Sequence, residues 1–406
     1  MTAPHSPPKL LSIDDALALV GAHVSALPAE EVALEHAYGR FLAQHLRAAV
    51  DLPPFASSAM DGYALRAAGT PGRLAVVGES AAGSPYRGAL GERETIVIST
   101  GAVIPPQADA VVPVEDVLGA GGDEIEVSEV VPPGAFVRDR GSDIRRGDPL
   151  LRTGTRLGPA QIGAAAAAGL GTLPCRRRPS VAILTTGSEL RRVGERLEEG
   201  EIFDANGPML DAALRTTGAT IRRIPGAADT PEAHRAALER ALEHDVVISS
   251  GGVSMGAHDL VRRVGSELGV HEVFWRVALR PGKPLAFGVH GSTLVFGLPG
   301  NPVSTLVCFE LFVAPALLAL QGAPSLRPQW GSARLGTAVA RNAQRDDLIR
   351  VRAAGEGAET VLAPLHGQQS HQIAITAQAD GLALIPAGTG ELPSGSEVSY
   401  LPLHRF

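Results

Sequence analysis

The spacing of apolar residues along the chain divides it into regions with different secondary structure. Leu17, Val20, Val24 and Leu27 recur at helical spacing after Ser12, which predicts a helix over 12–27 with Ser12 as its N-cap. From 53 to 140 the apolar runs are short and are separated by Gly and Pro. This pattern predicts a small β-rich region.

A second helix is predicted to follow the β-rich region, from Pro159 to Ala168, with proline in its first turn. We expect this segment to pack with the N-terminal helix. The chain is then predicted to contain one elongated domain, split into residues 1–52 and 141–178, around a β-rich insert at 53–140.

From 179 to 324 strand-like and helix-like segments alternate. One clear example is 230–244, where Thr230 is a predicted N-cap and Pro231 stands at the first helical position. Alternation of this kind favours a doubly wound, mostly parallel sheet with helices on both faces. The region 325–406 is again strand-like and predicts a C-terminal β-barrel. The fold class is therefore multidomain, α/β plus β.

Composition limits the kinds of partner. The 406 residues carry 36 Lys and Arg against 43 Asp and Glu, a net charge of −7, which argues against a nucleic-acid surface. The two cysteines match no metal or redox spacing, and a reduced, cytoplasmic setting is expected. The most apolar segment, 308–320, contains Glu310 and Pro315 and predicts a buried helix, so no membrane association is expected.

Three loops follow strands of the α/β region, and each is rich in glycine and hydroxyl groups. Ligands of such sheets bind at the carboxyl ends of the strands, where backbone N–H groups can donate hydrogen bonds to an anion. Together the loops favour a phosphate-bearing ligand. Their candidate binding residues are Thr185, Thr186, Gly187, Ser250, Gly251, Gly252, Ser254, Pro299, Gly300, Asn301 and Pro302.

Charged side chains near these loops suggest an anion and a metal ion. Arg276, Arg280 and Lys283 lie within eight residues, and Arg and Lys side chains suit oxyanions. Four acids stand on predicted loops, and Mg²⁺ prefers one or two carboxylates together with phosphate oxygens. These acids are Asp61, Glu189, Asp229 and Asp259, of which Asp229 is also explained by the helix cap that follows it.

Several segments carry a family resemblance. In order, SSAMDGYA, GESAAG, STGAVIPPQADAVVPVE, GSDIRRGD, TTGSEL, SGGVSMGAHD, LRPGKP and GLPGNPVS resemble the molybdopterin molybdenumtransferase family, which is related to the gephyrin E domain. The similarity spans nearly the whole chain. It implies a split elongated domain, a β insert, a molybdopterin-binding α/β domain at 179–324 and a C-terminal barrel at 325–406, in a homodimer.

The reaction implied by this resemblance is insertion of molybdate into adenylylated molybdopterin. Mg²⁺ assists release of AMP, and the product is molybdenum cofactor. Expected protein partners are the molybdopterin adenylyltransferase and the molybdoenzyme apoproteins or their chaperones. Protein cysteines are not required, because the dithiolene of the substrate supplies soft ligands.

The resemblance also assigns roles to individual residues. Asp61, Thr100, Glu189, Asp229 and Asp259 match the active-site positions of the family, with Glu189 and Asp259 as metal ligands, and Arg276 is placed with the substrate-binding residues. Since Asp61 and Thr100 lie in the insert, a composite site between two subunits is expected. The positions suited to molybdate are Arg280, Lys283, Ser304, Arg350 and Ser370.

The chain departs from the family pattern at five positions, which leaves the detailed substrate geometry open: Ala56, Ser57, Ser188, Arg276 and Arg280. Three other functions remain as alternatives. They are molybdopterin adenylyltransferase, a scaffold or binding module, and a nucleotide pyrophosphohydrolase that uses the same α/β domain. The first of these would not need the β insert or the barrel.

Overall fold

The computed structural model describes residues 10–224, 230–251, 260–355 and 357–403. Two compact units make up the chain. Unit 1 comprises Met1–Glu30, Gly39–Phe41 and Arg176–Phe406, and unit 2 comprises Glu31–Tyr38 and Leu42–Cys175. The predicted division into four domains stays a prediction.

A six-stranded sheet forms the centre of unit 1. Its strands, in chain order, are β1 (Ser180–Thr185), β2 (Thr220–Ile224), β3 (Val246–Ser250), β4 (His271–Trp275), β5 (Ala286–His290) and β6 (Thr293–Leu298). Their spatial order is β2-β1-β3-β6-β5-β4. β2, β1, β3 and β6 pair in parallel, whereas β5 pairs antiparallel with both of its neighbours. The predicted mostly parallel sheet is confirmed, with β5 alone reversed because a tight hairpin joins it to β6.

Helices cover both faces of this sheet. They are α1 (Ile13–Gly21), α2 (Asn206–Arg215), α3 (Pro231–Ala241), α4 (Leu260–Glu267), α5 (Pro302–Cys308) and α6 (Ala314–Leu320). One face packs on α1, α2, α5 and α6, and the other on α3 and α4. The Thr230 side chain accepts a hydrogen bond from the N–H of Ala233, which confirms its predicted capping role.

The N-terminal helix differs from its prediction in length and in packing. It ends at Gly21, although Val24 and Leu27 continue to pack on the core in non-helical chain. Pro28 follows directly, and a residue before proline is disfavoured in helical conformation. The apolar side of α1 belongs to the core of the α/β sheet, so the expectation that it packs with segment 141–178 was wrong.

The most apolar helical stretch, Pro302–Leu320, has the length and composition of a membrane span, with a mean hydropathy of 2.1, but 78% of it is buried inside the protein. That burial is typical of a core helix and agrees with the prediction. A π-helical turn over Phe309–Val313 separates α5 from α6. Pro315 has no backbone N–H to donate a hydrogen bond to the preceding turn, which gives a physical reason for this irregularity.

The segment HEVFWRVAL, 271–279, has a strand-like pattern of apolar residues but is interrupted in the structure. β4 ends at Trp275, Arg276 adopts a φ of +82°, and a short strand resumes at Leu279–Arg280. This short strand pairs with Asp346–Asp347 of the C-terminal region. The left-handed residue is therefore the point where the chain leaves the α/β sheet for the barrel.

The predicted C-terminal barrel is confirmed, and the structure shows that five strands close it. They are β7 (Gly331–Leu335), β8 (Asp346–Ala354), β9 (Val361–Pro364), β10 (Gly381–Ile385) and β11 (Glu397–Pro402). The order β8-β9-β7-β11-β10 returns to β8 by a direct β8–β10 pairing. Closure leaves no free edge among these strands.

Unit 2 contains a five-stranded sheet with a separate apolar core on each face. Its strands in spatial order are Ala110–Pro113, Gly62–Leu65, Glu94–Ile98, Gly72–Ser80 and Glu124–Val127. This confirms the β-rich insert. The predicted second helix spans Pro159–Ala167, and it shares a core with residues from both sides of the insert, including Leu42 and Leu173. The shorter paired strands are Leu46–Arg47 with Pro149–Leu151 and Ser57–Ser58 with Val137–Arg138.

Candidate active site

The three glycine-containing loops of unit 1 meet at one edge of the central sheet. β1, β3 and β6 are parallel neighbours, so the loops that follow them share the carboxyl edge. The N–H of Thr186 donates to the carbonyl of Ser250 at 3.1 Å, and the N–H of Gly251 donates to Leu298 at 3.2 Å. The structure therefore brings together the described members of the predicted phosphate site.

Gly251 makes this convergence sterically possible. Its φ is +94°, and a Cβ built on it would lie 2.6 Å from the carbonyl oxygen of Thr186. That distance is shorter than any real Cβ contact. The glycine therefore lets the loop after β3 approach the loop after β1 closely.

Two polar residues that the sequence analysis missed connect these loops. The side-chain amide of Asn206 donates to Ser250 Oγ at 2.8 Å and to the carbonyl of Gly300 at 2.7 Å. Asp204 accepts from Thr185 Oγ1 at 3.1 Å and from Arg223 at 3.0 Å. The available signal was the Asp-Ala-Asn sequence at the start of α2, a common capping composition that does not by itself indicate a site.

Glu189 is an exposed carboxylate at the same edge. Its side chain lies over Gly187, where an added Cβ would come within 2.6 Å of a carboxylate oxygen. Within the described ranges, no three or more His, Cys, Asp and Glu side chains group together to hold a metal ion. The other predicted metal ligand, Asp259, lies outside the described residues, as do Asp229, Gly252 and Ser254.

A second polar cluster lies where α5 faces the barrel region. Asn301, the N-cap residue of α5, donates through its side chain to Ser370 Oγ at 2.9 Å, and the N–H of Val303 donates to the Ser370 carbonyl at 3.1 Å. Ser304 is buried in the first turn of the same helix. Two segments that lie 69 positions apart in the chain, one with Asn301 and Ser304 and the other with Ser370, are thus in contact.

Arg350 of β8 is fully buried, with 0% of its surface exposed. One terminal nitrogen donates to the carbonyl oxygens of Gly367 and Gln369. Its Nε and Nη1 atoms are buried and have no hydrogen-bond partner among the described residues, and none of the described carboxylates pairs with it. Burial lowers the pKa of the guanidinium, although arginine remains charged in proteins. A buried cation in this state is best stabilised by an anion.

Arg280 forms an ion pair with Asp347, a residue that the sequence analysis did not single out. The side chain of Asp347 is 2% exposed, and its Oδ1 has no partner in the described chain. Burial raises the pKa of this carboxyl above its usual range, and the ion pair with Arg280 opposes that effect. The sequence gives no signal for this pair, because strand pairing creates it.

The cationic side chains of the 276–283 segment are held differently from one another. The Arg276 guanidinium stacks on Trp275, 3.7 Å from the ring centroid. Lys283 is exposed on the turn that follows Arg280. A stacked arginine keeps its orientation in a way that a lysine would not. This stacking gives a physical reason for arginine at 276, one of the positions that depart from the family pattern.

In unit 2, Asp61 and Thr100 are hydrogen-bonded to each other. The N–H and the hydroxyl of Thr100 donate to Asp61 Oδ1 at 2.6 and 3.0 Å. These two hydrogen bonds, the backbone one first, lower the pKa of the exposed Asp61 carboxyl. Two residues 39 positions apart, both predicted as catalytic, therefore form one anionic group.

Family models match most of the chain. Residues 11–169 match the MoeA N-terminal region (domains I and II), residues 182–319 match a probable molybdopterin binding domain, and residues 332–403 match the MoeA C-terminal region (domain IV). The chain also resembles a solved structure of the molybdopterin biosynthesis MoeA protein from Pyrococcus horikoshii. The TM-score is 0.82 at 34% identity, over 98% of this chain and 100% of that one.

Similar sequences agree with these models. The molybdopterin molybdenumtransferase 2 of Mycobacterium tuberculosis is 36% identical over 389 residues, which cover 92% of this chain and 94% of the relative. The molybdopterin molybdenumtransferase of Synechococcus elongatus is 36% identical over 409 residues, 97% of this chain and 100% of the relative. Together with the fold and the loop geometry, these similarities show that the chain belongs to the molybdopterin molybdenumtransferase family.

Proposed function

We propose that this protein inserts molybdate into adenylylated molybdopterin and releases AMP, with assistance from Mg²⁺. The observation that carries the proposal is the buried Arg350, whose Nε and Nη1 atoms are unpaired and which has no carboxylate partner in the described chain. A tetrahedral oxyanion would accept from these groups and balance the buried charge.

The surrounding residues suit the remaining contacts of such an anion. The Ser370 hydroxyl and Asn301 lie at the N-terminal end of α5, and Ser304 is buried one turn further along. Lys283 adds an exposed positive charge on the neighbouring segment, and Arg280 lies there in its ion pair with Asp347. In the proposed reaction these groups hold molybdate in place until it meets the dithiolene of the pterin substrate.

The strand-end loops have a separate role in the proposal. Their backbone N–H groups and the hydroxyls of Thr186 and Ser250 bind and orient the phosphate groups of the substrate. Asn206 keeps two of these loops together through its hydrogen bonds to Ser250 and Gly300. Phosphoanhydride cleavage depends mainly on positioning and charge neutralisation.

Glu189 is suited to be one ligand of the proposed Mg²⁺ ion. It presents an exposed carboxylate at the phosphate edge, and Mg²⁺ prefers one or two carboxylates with phosphate oxygens. Asp259 is the second proposed ligand. When bound, the ion neutralises charge that develops on the phosphate groups. Protein thiols have no part in the proposal, because both cysteines are buried and burial strongly raises the pKa of the Cys308 thiol.

One incubation separates this function from its alternatives. Purified protein is mixed with adenylylated molybdopterin and Mg²⁺, with and without molybdate, and AMP and molybdenum cofactor are measured. We expect molybdenum cofactor to form only with molybdate. AMP release without any cofactor would identify a pyrophosphohydrolase. A parallel incubation with molybdopterin and ATP tests the adenylyltransferase, which would form adenylylated product there. No turnover under any condition would support a binding role.

We also propose that the active enzyme is a homodimer in which Asp61 and Thr100 of one chain complete the site of the other. Their shared anionic group lies on unit 2, whereas the phosphate loops and Arg350 lie on unit 1. A two-fold dimer makes such a contact reciprocal. The cytoplasm is the proposed location, with the adenylyltransferase and molybdoenzyme apoproteins or their chaperones as proposed partners.

A further inference from the structure

A row of small side chains crosses the α3–α4 face of the central sheet. In the strand register, Ser249 of β3 lies beside Gly297 of β6, Gly297 beside Ala286 of β5, and Ala286 beside Trp275 of β4. Directly opposite residues project from the same face of a sheet. The row therefore consists of the hydroxyl of Ser249, the bare backbone of Gly297 and the methyl group of Ala286, and it ends at the indole of Trp275. Ser249 and Trp275 are three strand spacings apart, about 14 Å.

A cavity of about 440 Å³ lies above three members of this row, Ser249, Gly297 and Ala286. Sites for small molecules typically have about 300–1,000 Å³, whereas protein interiors otherwise contain few voids larger than a water molecule. The floor of the cavity is flat because Ser249, Gly297 and Ala286 have small side chains or none. Residues of the helices form the opposite wall. The main wall and rim residues are Leu238, Val261, Arg262, Ser266, Val270 and Glu272.

Two polar atoms in this region lack partners. Ser249 lines the cavity, is only 1% exposed, and its Oγ has no hydrogen-bond partner among the described residues. The Nε1 atom of Trp275, at the other end of the row, is likewise buried and unpartnered in the described chain. Of the two residues only Ser249 lines the cavity, and an unpaired buried hydroxyl costs free energy that a ligand with a suitable polar atom would recover.

The rim supplies one rigid, charged boundary. Arg262 of α4 forms two hydrogen bonds with Glu272, at 2.7 and 2.8 Å, and its guanidinium lies 4.3 Å from the centroid of the Trp275 ring. The opening is thus bordered by an ion pair that is already stacked and oriented.

We propose that the cavity above the Ser249–Gly297–Ala286 row binds a planar heteroaromatic ring, with the Ser249 hydroxyl bonded to a ring nitrogen or carbonyl group. A flat apolar floor with one hydroxyl accommodates the face and edge of such a ring better than it accommodates a tetrahedral anion. Ser249 directly precedes Ser250 of the phosphate loops, so a bound ring would lie next to the phosphate site.

The identity of the ring rests on the proposed function. Adenylylated molybdopterin has two planar heteroaromatic ends, the adenine and the pterin, and both have the chemistry that the cavity suits. Adenosine and 6-hydroxymethylpterin separate these two sources. Since neither carries a phosphate, neither can be held by the phosphate loops alone.

The experiment is calorimetric titration of each compound into the full-length protein. We expect one of them to bind the wild type with a Kd below about 1 mM. Ala286→Leu fills the cavity and should weaken that binding at least about tenfold. Ala286→Gly at the same position leaves the cavity open and should bind as the wild type does. Ser249→Ala should weaken binding by about threefold or more.

Several results would overturn the inference. It fails if neither compound binds the wild type near 1 mM, or if Ala286→Leu, shown to be folded by its melting temperature, binds as well as Ala286→Gly. If the leucine variant does not fold, unchanged affinity in Ser249→Ala overturns it instead. Molybdate-dependent turnover of the wild type, measured in parallel, reports on the proposed function separately.

Discussion

At the scale of single residues, Arg350 has the greatest consequence for function. Lysine at this position would keep the charge but lose the planar set of donors that remain unpaired in the structure. We expect Arg350→Lys to raise the molybdate concentration for half-maximal rate by about tenfold or more, equivalent to about 1.4 kcal/mol. Affinity for the pterin nucleotide, measured by calorimetry, should be nearly unchanged.

Arg352 provides the control on the same strand. Its side chain is exposed, two residues beyond Arg350. Arg352→Lys should leave the molybdate dependence at the wild-type value. Equal weakening of molybdate and nucleotide binding in Arg350→Lys would assign Arg350 to the fold of the site rather than to the oxyanion.

Asp245 has its effect on stability rather than on chemistry. It accepts two hydrogen bonds from Arg177 at 2.8 Å, one from the N–H of Ser180 at 2.7 Å and one from the Ser180 hydroxyl. Burial alone would raise the pKa of this carboxyl, but these hydrogen bonds outweigh burial and hold the pKa at about 2, against 3.8 in the unfolded chain.

The lowered pKa of Asp245 determines how its contribution to the free energy of unfolding changes with pH. An acid whose pKa falls on folding stabilises the protein above its unfolded pKa, and that contribution disappears as the pH falls through the folded value. Asp245→Asn should therefore lose about 2 kcal/mol of unfolding free energy at pH 7, and the loss should shrink between about pH 4 and pH 2. Urea unfolding at several pH values measures it.

The matched control is Asp211→Asn, at an i,i+4 pair with Arg215 on the surface of α2. Exposed pairs of this kind contribute little, about 0.3–0.5 kcal/mol. If both variants lost the same stability at pH 7, or if the Asp245 effect were independent of pH, the hydrogen-bonded carboxylate would not be the cause.

At the scale of elements, the strand-end loops depend on one close approach. Gly251 has a φ of +94°, and a side chain there would collide with the carbonyl of Thr186. We expect Gly251→Ala to displace the loop after β3 and to lower turnover at least about tenfold, because a phosphate site requires its N–H groups to converge. Steady-state assays with adenylylated molybdopterin test this expectation.

The control for backbone strain alone is Gly291→Ala in the β5–β6 hairpin. Gly291 has a φ of +57°, and nothing lies within 4 Å of a Cβ built on it. This variant should lose about 1 kcal/mol of stability and keep wild-type turnover. Turnover losses of the same size in both variants would show that the effect is general destabilisation.

Local sequence patterns predicted some of these elements correctly. The N-caps Ser12 and Thr230 and the interior helix 302–320 were predictable, because caps and apolar periodicity are local signals. The end of α1, the π-helical turn and the break at Arg276 were not. Each depends on what the segment packs against, which no local pattern reports.

At the scale of the whole molecule, the proposed dimer has a distinctive consequence. If Asp61 of one chain completes the site that contains Glu189 of its partner, Asp61→Ala and Glu189→Ala homodimers should both be nearly inactive. A mixed dimer would regain one intact site, with both defects confined to the other. In a random mixture, where about half of the dimers are mixed, activity should approach about a quarter of wild type.

Co-expression of the two variants with different tags provides the mixed dimer for assay. If each site were built within one chain, mixing the two variants would restore no activity. A purified mixed dimer no more active than either mutant homodimer would therefore contradict the composite site. Thr100→Val is a useful companion, because it removes one of the two hydrogen bonds to Asp61 and should lower turnover without changing the oligomeric state.

The sequence by itself determined the fold class, the order of the regions and the membership of the family. These follow from periodicity, from turn chemistry and from motifs that are continuous along the chain. It also predicted that the loops containing Thr185, Ser250 and Gly300 share one edge of the sheet, because parallel strands bring their carboxyl ends together.

Only the tertiary structure decided which side chains share an environment. The Arg280–Asp347 pair, the Asn206 bridge, the unpaired groups of Arg350 and the cavity beside Ser249 all depend on strand register and burial between distant segments. A residue's type shows what it can donate or accept. Whether its partner is present, and whether water can reach it, depends on the packing of the whole unit.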